Sequence, residues 1–80
     1  MLEAERVQTE IQKVIGDDPT IRDANRIIVS VEKKSIWKGG KEFVLLKGSV
    51  HSDSDRMKIE RVATLHAGGR QVVDEIRVLN

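Results

Sequence analysis

Lys33, Lys34, Lys38 and Lys41 surround Trp37, the only tryptophan of the chain. Lysines near an anionic lipid surface contribute about 1 kcal/mol each before salt screening. A tryptophan suits the water–hydrocarbon boundary, where its ring lies in apolar surroundings and its N–H still finds an acceptor. Gly39 and Gly40 keep the segment slim. The grouping has the chemistry of a lipid-touching finger. The same residues carry a second reading, in which lysines guard an exposed hairpin edge against aggregation while Trp37 folds back onto a sheet.

Other chemistry is poorly supplied. His51 and His66 are the only histidines, and there is no cysteine. A metal site needs three or four convergent ligands, and only Asp53 and Asp55 stand near His51 in sequence. No pair of histidines has helical ligand spacing, so neither a metal nor a cofactor is expected. Ser49, His51 and Asp53 are close in sequence, but strand alternation does not orient a catalytic triad, and no nucleophile elbow is present. The glycines of Lys38-Gly39-Gly40-Lys41 lack the strand-to-helix setting of a phosphate loop. A non-enzymatic binding module is the expected class.

Composition sets the frame for that module. Eighty residues make a single domain, residues 1–80. A chain this short buries about 60–65% of the surface its unfolded form exposes, so its core is thin. With 39% apolar and 34% charged residues it has enough for one core and a solvated surface. Fourteen basic and 13 acidic residues leave a net charge of +1, which argues against nucleic-acid binding by bulk charge. No apolar run reaches the roughly 18–20 residues of a membrane span, and no secretory leader pattern opens the chain. The chain is therefore expected to be either cytoplasmic or a domain cut from a longer exported protein.

The elements that must position these residues follow from periodicity. Val7, Ile11, Val14 and Ile15 form one helical stripe. Glu3, Arg6, Gln12 and Lys13 lie off it, and Gly16 with Asp17, Asp18 and Pro19 ends the helix. Residues 20–26 connect, with Ile21 a core anchor. Residues 27–31 form a strand with Ile27, Val29 and Val31 on one face and Ile28 and Ser30 on the other. Residues 43–50 form a second, with Val44, Leu46, Gly48 and Val50 opposed to Phe43, Leu45, Lys47 and Ser49. Turn chemistry between the two predicts an antiparallel hairpin.

Ser52 begins a second helix, with Asp53 and Asp55 suiting its positive end. Ile59, Val62, Ala63 and His66 form its stripe, widened by Met57 and Leu65. Gly68 is its left-handed cap. A third strand over residues 71–79 places Val72, Ile76 and Val78 opposite Val73, Glu75, Arg77 and Leu79. The predicted class is α+β, in the order α-β-β-α-β, with a three-stranded sheet and two helices packed on one face.

The ordered set resembles a known family. Leu46, Gly48 and Val50 look like its strand ending in Leu-x-Gly-x-Val. Ala63, Gly68 and the run from Val72 through Val78 look like its helix end and closing strand. Ile27, Val29 and Val31 match its first strand. Together they resemble the BON domain over nearly the whole chain. Gly48 and Gly68 then stand at family-typical structural positions. Two departures are Gly69, where the family commonly has valine, and a first hairpin longer than the usual tight turn. The resemblance implies binding to phospholipid or envelope surfaces, often in the periplasm, and does not imply catalysis.

Two surfaces could serve such a module. In the first, Lys33, Lys34, Lys38 and Lys41 attract anionic phospholipid while Trp37 and Phe43 insert. The second is the helix-free sheet face. There Phe43, Leu45, Ile28, Val73 and Leu79 would make one contiguous apolar patch for another protein or envelope component, a second copy of the domain, or lipid. Gly48 has its own expectation, that helix packing leaves no room there for a side chain.

Overall fold

The computed structural model describes residues 3–22, 24–33 and 41–79. Helix α1 spans Glu3–Asp17, strand β1 Ile28–Lys33 and strand β2 Glu42–Val50. Helix α2 spans Asp53–His66 and strand β3 Gln71–Val78, completing the order α-β-β-α-β. A single 3-10 turn, Ala24–Arg26, leads into β1. The sheet order is β1-β2-β3. β1 runs antiparallel to β2, as a hairpin must, and β3 runs parallel to β2 after the α2 crossover. Both helices pack on one face, α1 against β1 and α2 against β2 and β3.

The apolar alternation explains this arrangement. Val7, Ile11 and Ile15 of α1 meet Ile27, Val29, Val44, Leu46 and Val50 of the sheet, with Ile59 and Ala63 of α2 and Ile76 of β3. Ile21 anchors the first connection and is also buried. Each fully buried Ile, Leu or Val contributes roughly 1.5–3 kcal/mol. β2 supplies three of the fully covered side chains, Val44, Leu46 and Val50, because it lies between the other two strands.

Two expectations about the helices need correction. Met57 and Leu65 do not widen the buried stripe of α2. They stand on its solvent side, 53% and 74% exposed. Asp55 takes a buried place in the first turn instead. Its backbone N–H donates to the Ser52 hydroxyl at 3.1 Å, the expected N-cap. Gly16 does not stop α1, which continues through it to Asp17. The stop comes one residue later, where Thr20 donates to Asp18 Oδ1 from its hydroxyl at 2.7 Å and its N–H at 2.9 Å. Those two bonds, the hydroxyl first, hold the Asp18 pKa below the ordinary carboxylate value.

The start of the free edge of β1 is covered by a residue that sequence periodicity assigns only to the polar side of α1. Gln12 Nε2 donates to the Ile27 carbonyl at 3.0 Å, and the Val29 N–H donates to Gln12 Oε1 at 3.2 Å. The amide thus stands in for a neighbouring strand along one side of β1.

Gly48 is needed for a reason other than helix packing. Its φ is +133°, and a Cβ there would lie 2.3 Å from the Arg26 carbonyl oxygen and 3.1 Å from Ile27 Cα. The crowding partner is the backbone entering β1. Gly68, with φ +65°, directly follows the Ala67 C-cap of α2.

Two glycine substitutions therefore have opposite expected effects. Gly48→Ala meets backbone on one side and an unfavourable φ on the other, and should cost about 2–5 kcal/mol. Gly16→Ala lies in a helix with open space around it, and should add about 0.5–1 kcal/mol. Urea unfolding of both variants checks the signs.

Candidate functional site

The sequence-predicted finger leaves the fold between β1 and β2. Lys34, Trp37 and Lys38 lie outside the described residues. The residues that frame them are described. Lys33 ends β1 opposite Glu42, and Glu32 lies opposite Phe43. Lys33 and Lys41 are both exposed, and among the described residues no ion pair takes up either one. Phe43 is half-buried and lies on the helix-free face, two residues from Lys41.

Glu42, the acid opposite Lys33 in the register, is already engaged. Arg70 donates to Glu42 Oε1 from Nε at 3.1 Å, and its Nη2 lies 3.0 Å from the same oxygen. Arg70 Nη1 also donates to the Ala67 carbonyl at 3.1 Å, at the C-terminal end of α2. Glu3 approaches Arg70 Nη2 at 4.0 Å. One guanidinium, 13% exposed, thereby ties the start of α1, the start of β2 and the end of α2. These residues, with Lys41, Gly68, Gly69 and Gln71, line an open recess of about 530 Å³. Within it, Arg70 faces two acids, and Lys41 is in no ion pair among the described residues. The clamp thus fixes the strand end that carries the finger and leaves the lysine charge unneutralised. Periodicity gave no hint of it, because Arg70 sits in a turn and its partner lies 28 residues away.

The apolar patch on the helix-free face is smaller than the sequence suggests. Leu45 and Val73 are direct neighbours across β2 and β3, and Phe43 adjoins Leu45 along its own strand face. Ile28 lies opposite Lys47, not opposite Leu45. Leu79 is cut off from Val73 by Glu75 and Arg77, which occupy the same face. Phe43, Leu45 and Val73 therefore form the patch, and charged rows bound it.

The histidines serve different surroundings. His51 is exposed beside the α2 cap. His66 Nδ1 lies 3.2 Å from Glu10 Oε1 and links α2 to α1. Asp53 is bound by Arg56 at 2.7 Å and 3.0 Å. Among the described residues, no group of His, Cys, Asp and Glu is placed to hold a metal ion. No helix among them is long and apolar enough to cross a membrane.

The architecture is two helices on one face of a three-stranded β1-β2-β3 sheet. The family model of the BON domain matches residues 3–80, and the chain belongs to that family. No curated protein and no solved structure matches the chain.

Removing the clamp should loosen the hairpin base. Arg70→Ala is expected to lower stability by about 1–3 kcal/mol, the worth of hydrogen bonds to a charged group. The check is a lower urea midpoint at unchanged slope. Arg70→Lys cannot reach both Glu42 and the Ala67 carbonyl in the same fork geometry, and should recover only part of the loss.

Proposed function

We propose that this domain docks a larger protein onto anionic phospholipid, with the β1–β2 hairpin as the contact. Lys33, Lys34, Lys38 and Lys41 supply the electrostatic attraction. Trp37 supplies insertion at the interface, helped by Phe43 at the hairpin base. The observation that carries the reading is the concentration of four lysines and the only tryptophan at one hairpin of a chain whose net charge is +1. Lys33 and Lys41 at its base, exposed and in no ion pair among the described residues, support it. So does membership of a family of phospholipid-associated binding modules of the bacterial envelope. A periplasmic or membrane-surface location follows from the same reading.

A second reading is favoured by the adjacency of Leu45, Val73 and Phe43. In it, the helix-free face receives another protein and no lipid is bound. Vesicle co-sedimentation separates the two. The lipid reading expects binding to vesicles containing phosphatidylglycerol, little binding to pure phosphatidylcholine, and steady weakening as salt rises. Trp37→Ala combined with serine at all four lysine positions should abolish it. Equal binding to neutral and anionic vesicles, or binding that survives those changes, would refute the hairpin as the contact.

A further inference from the structure

The two edges of the sheet are closed to different degrees. On β1, the Gln12 amide occupies both a donor and an acceptor of the edge, beneath the packed α1. On β3 the Asp74 carboxylate bonds a backbone group of its own strand. Its Oδ1 accepts from the Ile76 N–H at 2.9 Å. Its Oδ2 is buried, makes no hydrogen bond among the described residues, and lies 3.6 Å from Arg56 Nη1. The carboxylate is 10% exposed.

The phase of β3 shows which backbone groups remain. Leu79 N–H donates to the Val50 carbonyl at 2.7 Å, so the odd-numbered residues of β3 turn their backbone groups toward β2. Val72, Asp74, Ile76 and Val78 turn theirs to the open edge. An uncovered row of this kind is a template for another strand.

The side chains of β3 choose the partner. In an antiparallel pair of two β3 strands centred on Ile76, Glu75 of each copy faces Arg77 of the other, and Val73 faces Leu79. These are the non-hydrogen-bonded positions, where side chains approach most closely. Ile76 meets Ile76, and Asp74 meets Val78, at the positions that exchange both backbone bonds. Neighbouring registers fail. Centring on Glu75 opposes two glutamates, centring on Arg77 opposes two arginines, and centring on Asp74 sets Val73 against Glu75. Glu75 and Arg77 are exposed, and among the described residues neither takes part in an ion pair. Leu79 is 40% exposed.

We infer that the β3 edge is a homotypic docking edge, pairing with a second copy of this chain antiparallel about Ile76, with Asp74 as its gate. The Ile76 N–H cannot serve the Asp74 carboxylate and the partner strand together. Dimerisation is therefore held weak by Asp74, and loss of that carboxylate releases it. This inference is independent of lipid binding.

Sedimentation equilibrium of the full chain, without lipid, from micromolar to low millimolar concentration tests it. The wild-type chain should dimerise reversibly, and Asp74→Ala should tighten the dimer about tenfold. Glu75→Arg alone and Arg77→Glu alone each place like charges opposite one another and should weaken it. The double exchange, Glu75→Arg with Arg77→Glu, should restore wild-type affinity. The charge series rests on exposed residues and stays informative if Asp74→Ala fails to fold. A chain that is monomeric throughout the range would overturn the inference. So would a dimer indifferent to the single reversals, or one not restored by the double exchange.

Discussion

The approach of one backbone to another at Gly48 organises the sheet. The Arg26 carbonyl and Ile27 Cα occupy the place where any other residue would carry its Cβ. The chain can therefore enter β1 directly alongside the C-terminal part of β2. Ile27 and Val29 then fall over the same layer as Leu46 and Val50, and α1 closes on them. A side chain at position 48 would push β1 outward, and the register from Ile28 opposite Lys47 to Lys33 opposite Glu42 would lose its starting point. The hairpin base, with its lysines, is the far end of that same register.

A thin core on a three-stranded sheet leaves two edges to manage, and polar side chains manage both. Gln12 imitates a strand because a primary amide offers a donor and an acceptor at the spacing of a backbone peptide. Asp74 can offer only acceptors when ionised, so it satisfies an N–H and leaves the neighbouring carbonyls open. That chemical difference gives the start of β1 a matched donor and acceptor and leaves β3 a conditional edge. Arg56 completes the device on the α2 side, since it holds Asp53 by hydrogen bonds and faces Asp74 at longer range.

Electrostatics at the hairpin base follow a similar logic of prior commitment. Arg70 is largely buried and takes Glu42, the acid that lies opposite Lys33 in the register. The exposed lysines keep their charge available at the surface. Nearly equal numbers of acids and bases across the whole chain thus coexist with a locally cationic end.

Local pattern alone determined the elements, their order and the faces of the strands. Alternation and helical stripes need only neighbours a few residues apart, and burial rewards the same positions in any packing of this class. The family resemblance was legible for the same reason, since its motif is a set of strand and cap residues at fixed spacing. What only the tertiary structure decided involves contacts across long separations. Gln12 reaching Val29, Arg70 reaching Glu42 and Arg56 reaching Asp74 join residues with no periodic relation. Met57 and Leu65 fit a helical stripe by residue type, yet α2 rolls so that Ile59 and Ala63 meet the sheet and those two face solvent. The apolar patch shrank because register, not composition, set Ile28 opposite Lys47 and placed two charged residues between Val73 and Leu79. Residue type fixes which groups seek burial or charge partners. The fold decides which of them meet.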